Sequence, residues 1–453
     1  MLRIGMATRE FTPDRPAMIH GQMHRRIGRT ALDPLTVTAF AFEAADGTAR
    51  TILVSCDLAG VPDSLVEATR SRLATLAPDF PLEHLVMFGT HTHTSLVIED
   101  GYYAHPGGDV MTTAECLARV ADSAAEAAAE AWASRVPRLV NRAFGHAVVG
   151  HNRRAVYADG SARMYGNTNR PDFTHIEGGD DHGLDMLFVW EPGGQLAGVA
   201  LVIPCPSQVD EGLEQFSADY WHDVREELRA HYGQDFCVLG LCGAAGDQSP
   251  HFLLGGAQEA EMRRRRGLSE RQEIAERVAD AVGRALACTE PLAAGVPFAK
   301  TVRRAELTPM AVTQAQRDAA QAEYERCVRE NQDLSFWYPS RQREVVERFD
   351  RGEAAPPHPV EVHGLRIGDL GMVTSPFELF VDYAARIKAR SPAGQTAVVQ
   401  LASGRGLYLP TERAVRGGHY GASPVVCPVG PEGGQELVEA SLAVLTDLFA
   451  PAP

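Results

Sequence analysis

A chain of 453 residues with 45% hydrophobic and 23% charged residues can bury a full core, which excludes a wholly disordered protein. Its 43 Lys and Arg stand against 59 Asp and Glu, and the resulting formal charge of −16 argues against non-specific binding to nucleic acid or stable association with an anionic membrane. No stretch approaches the roughly 20 apolar residues of a membrane span, the opening MLRIGMATREFTPDRP has no apolar run of signal-peptide length, and eight scattered cysteines without a CxxC read as reduced, mostly buried thiols of a cytoplasmic protein.

Short apolar runs alternate with helical patterns along the chain. Buried strands are predicted over 51–57 (TILVSCD) and 84–89 (HLVMFG), with a helix over 64–76 between them. A long Ala-rich helix over 113–134 precedes strand-like segments at 136–149, 185–190 and 198–203, the second ending in the turn Glu191-Pro-Gly-Gly. A helix over 219–231 leads into a buried strand, 236–241, and helices are predicted over 270–287 and 311–329. The segment 251–266, with Gly255-Gly256 and four consecutive arginines, reads as a solvated loop entering a helix. Residues 360–373 read as two strands around Gly368-Asp369, followed by a helix over 376–389, a strand over 396–401 and a closing helix over 435–449. The class is therefore α/β, with a mixed sheet because hairpins accompany the strand–helix alternation. No linker long enough to separate domains appears, so the chain 1–453 reads as one catalytic body.

Three segments could carry chemistry. Thr90-His91-Thr92-His93-Thr94-Ser95 follows an apolar strand, and in extended chain the two imidazoles share a face, suited to a divalent metal or to one ligand and one acid/base. The HxHxDH of metallo-β-lactamases is not completed, and about two strands precede this HxH, unlike an amidohydrolase barrel. Gly243-Ala-Ala-Gly-Asp247-Gln-Ser249-Pro-His251 is a Gly-rich turn after a buried strand, neither a nucleophile elbow nor a P-loop. Pro204-Cys205-Pro206 fixes the backbone around a cysteine that is either an inert buried thiol or a thiolate metal ligand. Taken singly, Glu378 reads as an acid at a helix start, Tyr408 and Tyr420 as packed aromatics, and Arg153 as a surface cation.

In order along the chain, these segments resemble the neutral ceramidase family. The likeness begins with Ile4-Gly5-Met6-Ala7…Phe11-Thr12-Pro13, Asp33-Pro34-Leu35 and Val54-Ser55-Cys56-Asp57-Leu58, and it is most specific at Thr90-His91-Thr92-His93, where the family continues Ser-Gly-Pro and this chain continues Thr94-Ser95-Leu96. Asn152-Arg153, Gly246-Asp247-Gln248-Ser249-Pro250 (with His251 where Asn is usual), Pro376-Phe377-Glu378, Tyr408 and Tyr420 carry the rest. The resemblance implies an α/β fold with a mixed sheet and flanking helices, and a zinc amidase. It implies His91, Glu378 and Tyr408 as three metal ligands, with Cys205 at the fourth position, where the family has His. His182 or His222 could complete the site instead. His93, Arg153, Ser249 and Tyr420 fall on catalytic positions, Ser249 as a nucleophile or as a group that orients water, with Asn152 and Asp247 as substrate-binding neighbours.

The expectation is a zinc-dependent hydrolase cleaving an amide or ester of a small soluble molecule, without the signal peptide or C-terminal β-sandwich domain of secreted family members. A polar pocket lined by 157–181 and a substrate other than membrane ceramide are expected with it. A lyase or lactonase acting on a sugar acid or polyol, a ceramide amidohydrolase, and an inactive binding homologue are the alternatives.

Overall fold

In TVTAFAFE, Val37, Ala39 and Ala41 enter one apolar cluster and Phe40 and Phe42 another, so this strand is buried on both faces. It belongs to a computed structural model that describes residues 1–289, 295–334, 336–352 and 355–450. Strands β1 (Leu2–Glu10), β2 (Thr36–Glu43), β3 (Arg50–Cys56), β4 (Leu85–Gly89), β5 (Val136–His146), β6 (Gly183–Trp190), β7 (Leu196–Ile203) and β8 (Cys237–Cys242) form an eight-stranded sheet ordered β8-β7-β6-β5-β1-β2-β3-β4. The β3–β4 and β7–β8 pairs are parallel and the others antiparallel, which makes the sheet mixed.

Helices α1 (Asp63–Leu76) and α2 (Thr113–Ala133) cover one half of this sheet. A capping box of Thr112 and Glu115 starts α2. Helices α3 (Tyr220–Tyr232) and α5 (Glu270–Leu286) cover the other half. The stretch predicted as a loop entering a helix is helical over Gly256–Arg266 (α4), where Arg264 and Arg265 pair with Glu261 one turn back. A second sheet forms from β9 (Phe298–Leu307), β10 (His358–Ile367), β11 (Leu370–Thr374) and β12 (Gln395–Val399), with the helix pair α6 (Gln314–Arg329) and α7 (Trp337–Arg351) between β9 and β10, and is backed by α8 (Val381–Arg390) and the helix Pro431–Phe449.

The large sheet folds on itself. Ser55 of β3 donates to the Gly240 carbonyl of β8 at 2.5 Å, and bridges from Phe88 to Ala402 and from Gly243 to Val399 tie it to the second sheet. Both halves and the second sheet thereby face one inner apolar cluster, with Phe42, Phe88, Val202, Leu241, Met372 and Val399 among its members. This closure brings the segments that follow β4, β7, β8 and β12 to one end: His93 N–H donates to Ser207, Gly89 N–H to Leu401 and Gly243 N–H to Ile203. Among the described residues no helix is long and apolar enough to cross a membrane. All eight cysteines are free and six are buried.

The helix expected over 376–389 begins at Val381, because Asp247 accepts the Val381 N–H at 3.0 Å and fixes the helix start there. The preceding Glu378 and Leu379 form a two-residue strand paired in parallel with Tyr408 and Leu409, and Gln400 accepts the Leu379 N–H at 2.9 Å.

Candidate active site

The parallel pairing sets Glu378 directly opposite Tyr408, which joins two expected ligands that stand 30 residues apart in sequence. Gly246 allows the Gly-rich turn to lie against this strand: its N–H donates to Leu379 at 2.8 Å, and a Cβ there would stand 2.3 Å from the Glu378 carbonyl oxygen.

His91 does not continue the strand. Its φ of +66° is left-handed, a conformation that costs about 1–3 kcal/mol in a non-glycine residue. The shared face expected of an extended HxH is therefore replaced by a turn, yet the two rings still meet edge to face with centroids 5.0 Å apart. The His91 Nδ1–H donates to the Ala59 carbonyl at 2.5 Å, which turns Nε2 to Glu378 Oε2 at 3.3 Å. A proton, or a cation in its place, joins the nitrogen and the carboxylate here. Burial pushes the Glu378 carboxyl up, but His91, Arg153 and Tyr408 outweigh it and hold the group below its ordinary value.

Donor atoms bound tetrahedrally at about 2.0–2.1 Å stand about 3.3–3.4 Å apart, so His91 and Glu378 fit a zinc-like ion, with the Tyr408 hydroxyl, hydrogen-bonded to Glu378, as a third donor. Among the described residues no three His, Cys, Asp or Glu side chains converge as a metal cage. Cys205 in particular does not join the cluster. Its thiol contacts the Pro206 carbonyl at 3.4 Å within the apolar core beneath α3, and burial, with Cys242 nearby, pushes it well above the ordinary thiol value. His182 faces Asp180 at 3.7 Å beside His151, and His222 lies in the first turn of α3; neither borders the cleft described below.

His93 points its Nδ1 at Glu211 Oε2, 3.4 Å away, and Gln208 Nε2 stands 3.2 Å from both ring nitrogens and from the same carboxylate oxygen. Burial, with His91 nearby, holds the His93 pKa below its ordinary value despite Glu211, so the ring is neutral at pH 7. Arg26 binds the two loops together by donating to the backbone carbonyls of His93 and Glu211 at 2.6 and 2.7 Å.

Arg153 is buried rather than a surface cation, at 2% exposure. Its guanidinium donates to the Gly246 carbonyl (2.9 Å), Tyr408 (3.2 Å), Tyr165 (3.2 Å) and Gln208 Oε1 (3.3 Å), all neutral acceptors. Burial opposes its charge, and the surrounding phenol oxygens and Glu378 outweigh burial to keep it protonated. Ser249 lies behind this layer: its Oγ accepts from Tyr165 OH and from the His251 N–H, each at 3.1 Å, and it does not border the cleft. Asn152 and Asp247, expected to bind substrate, bond each other at 2.9 Å and the local backbone, and they too lie outside the cleft wall.

The cleft over these groups spans about 1070 Å³, the solvent at its open mouth included. His91, His93, Glu378, Tyr408 and Tyr420 form its polar end, and the Tyr408 and Tyr420 rings pack edge to face at 5.5 Å. Burial keeps both phenols protonated, hence donors. The walls are apolar and aromatic, with Met23, Ile98, Tyr102, Tyr103, Phe336 and Trp337. The polar segment 157–181 supplies no wall residue, which overturns the expectation of a polar lining; its loop packs outside, and only Tyr165 reaches toward the site, through Arg153.

Glu211, Gln208 and Tyr165 are absent from the sequence-based set. Gln208-x-x-Glu211 follows Cys205 in the same loop and was a legible cluster of hydrogen-bonding side chains. Nothing local marks Tyr165.

No family model matches the chain, and no curated protein matches it. Solved structures do. The crystal structure of neutral ceramidase from Pseudomonas aeruginosa superposes with a TM-score of 0.70 at 17% identity, over 100% of this chain and 76% of that one. A ceramidase complexed with C2 superposes with a TM-score of 0.65 at 15% identity, over 100% and 77%. The chain therefore has a neutral-ceramidase-like fold, as its motifs implied.

Proposed function

We propose that this protein is a metal-dependent hydrolase, zinc being the expected ion, that cleaves an amide or ester bond in the cleft above His91 and Glu378. The observation that carries the reading is His91 Nε2 set 3.3 Å from the Glu378 carboxylate at the polar end of the cleft, beside His93. The likeness to ceramidase structures supports a hydrolase of this kind. A divalent ion held by His91, Glu378 and Tyr408 would supply polarisation of the scissile carbonyl and a more acidic water.

The chain's own groups do the rest. His93, with Nδ1 turned to Glu211, offers Nε2 as the base that takes a proton from water and returns it to the leaving group. Tyr420 donates to the developing oxyanion, and Arg153 supplies positive charge behind Tyr408. Ser249 acts through Tyr165 rather than as a nucleophile. The apolar walls suit a substrate with an apolar acyl or aromatic portion.

The test is metal analysis of the purified protein together with hydrolysis of a panel of N-acyl amino acids, aryl amides, short esters, lactones and ceramide in mixed micelles. About one zinc per chain and chelator-sensitive turnover of a panel member are expected. Less than about 0.2 metal per chain with chelator-insensitive activity, or no turnover of any member by metal-replete protein, refutes the reading.

A further inference from the structure

We propose that His251 is a positioning residue of this site: paired with Glu211, it holds the carboxylate that aims the His93 imidazole. The inference rests on the hydrolytic reading above. It stands on one geometric fact, that the two oxygens of a single carboxylate each face an imidazole. Glu211 Oε2 stands 3.4 Å from His93 Nδ1, and Oε1 stands 3.5 Å from His251 Nε2.

A glutamate side chain has three rotatable bonds, and the last of them turns freely. Toward His93 only Oε2 is engaged, and the Gln208 amide contacts that same oxygen at 3.2 Å. His251 is the group that engages Oε1 and so fixes the plane of the carboxylate. His251 is itself well fixed. Its backbone N–H donates to Ser249 Oγ at 3.1 Å, and its ring packs edge to face against Tyr165 with centroids 6.1 Å apart. The turn bearing Ser249 is thereby linked to the base through His251 and Glu211, and to Arg153 through Tyr165.

His93 is mostly enclosed, whereas the His251 side chain is 34% exposed and exchanges protons with solvent. The charged groups that act on it are Glu211 in contact and, farther off, Glu270 of α5 and Asp219 at the start of α3; the Tyr165 hydroxyl is the neutral neighbour. Donation of the His251 N–H to Glu211 raises the His251 pKa above its ordinary 6.5, against the opposing effect of burial. The sign follows: the charge-assisted contact is fully present below pH 6.5 and is lost as pH rises through the raised value. The clamp thus adds an alkaline limb to turnover.

Three variants and one spectrum test this. His251→Gln should lower kcat about 10-fold, the scale of losing a group that orients a metal-site or catalytic residue, with KM within about twofold and the alkaline limb gone. His251→Lys keeps a cation facing Glu211 and should recover most of the loss without a limb near neutrality. NMR titration of the ring protons needs no turnover. His251 should titrate above 6.5 in the unaltered protein and lower in Glu211→Gln, and His93 signals should show a step at the His251 value that disappears in His251→Gln. A His251→Gln enzyme with kcat within twofold and the same limb overturns the proposal. So does a His251 titration that Glu211→Gln leaves unmoved. If no substrate is turned over, the hydrolytic reading fails, while the spectrum still decides whether His251 controls Glu211 and His93.

Discussion

Replacing Arg153 separates function from stability at this site. Its guanidinium is buried at 2% exposure and makes four hydrogen bonds of 2.9–3.3 Å, none to a carboxylate. A buried cation with no carboxylate in direct contact carries a desolvation cost of several kcal/mol that hydrogen bonds and the more distant Glu378 charge only partly return. Arg153→Met removes that cost and the four bonds together, and two of the acceptors, Tyr408 and Tyr165, keep Glu378 and Ser249 as partners. The two effects oppose, so the net change should lie within about 2 kcal/mol. Unfolding entropy of about 2.1 cal/mol/K per residue over 453 residues makes 1 kcal/mol equal to about 1 °C, so Tm should move by no more than about 2 °C. Activity should not survive so well. Loss of the charge behind Tyr408 should lower kcat about 100- to 1000-fold, the range for removing one oxyanion-stabilising donor. Arg153→Lys should fall between, since an ammonium keeps the charge but cannot bridge four acceptors. The assays are differential scanning fluorimetry and steady-state kinetics on the best panel substrate, with metal content checked in each variant. The reasoning is refuted if Arg153→Met keeps kcat within 10-fold, or if Tm falls by more than about 5 °C while activity per folded molecule is retained.

Cys205→Ser should leave zinc content and zinc affinity within about twofold, because the thiol sits in the apolar core against the Pro206 carbonyl; a loss of 10-fold or more by competition with a chromogenic chelator would make it a ligand after all. Asp57→Ala should destabilise by about 3–5 kcal/mol, because it strips the buried Arg225 guanidinium of a two-pronged partner at 2.8 Å and releases Thr90, the residue before His91; chemical denaturation reads this, and a change under about 1 kcal/mol would contradict it. The double variant Asp57→Leu with Arg225→Met should be less destabilised than Asp57→Ala, since no unpaired charge is then left inside.

The sequence by itself determined the α/β class, most element positions and the identity of the polar cluster, since these are local. Strand 85–89 and helix 113–133 follow from apolar period and caps, and His91, His93, Glu378, Tyr408 and Tyr420 stand in short motifs whose order along the chain is informative. What the tertiary structure alone decided was which of the motif residues face the cleft. Asp247 looks like a ligand-binding acid in its Gly-rich turn, but it starts α8; Glu378 reads as the first turn of that helix, but pairing with Tyr408 pulls it into a strand. Cys205 flanked by prolines looks exposed to a metal, but its side chain falls on the core side of the strand end. The lining of the cleft was the least legible, because Phe336 stands more than 200 residues from Met23 and Tyr103, and the three meet only when the large sheet folds over onto the second one. The pairing of Glu211 with His251 escaped for the same reason: a carboxylate and an imidazole 40 residues apart have no periodicity in common, and closure of the loops after β7 and β8 is what brings them together beside His93.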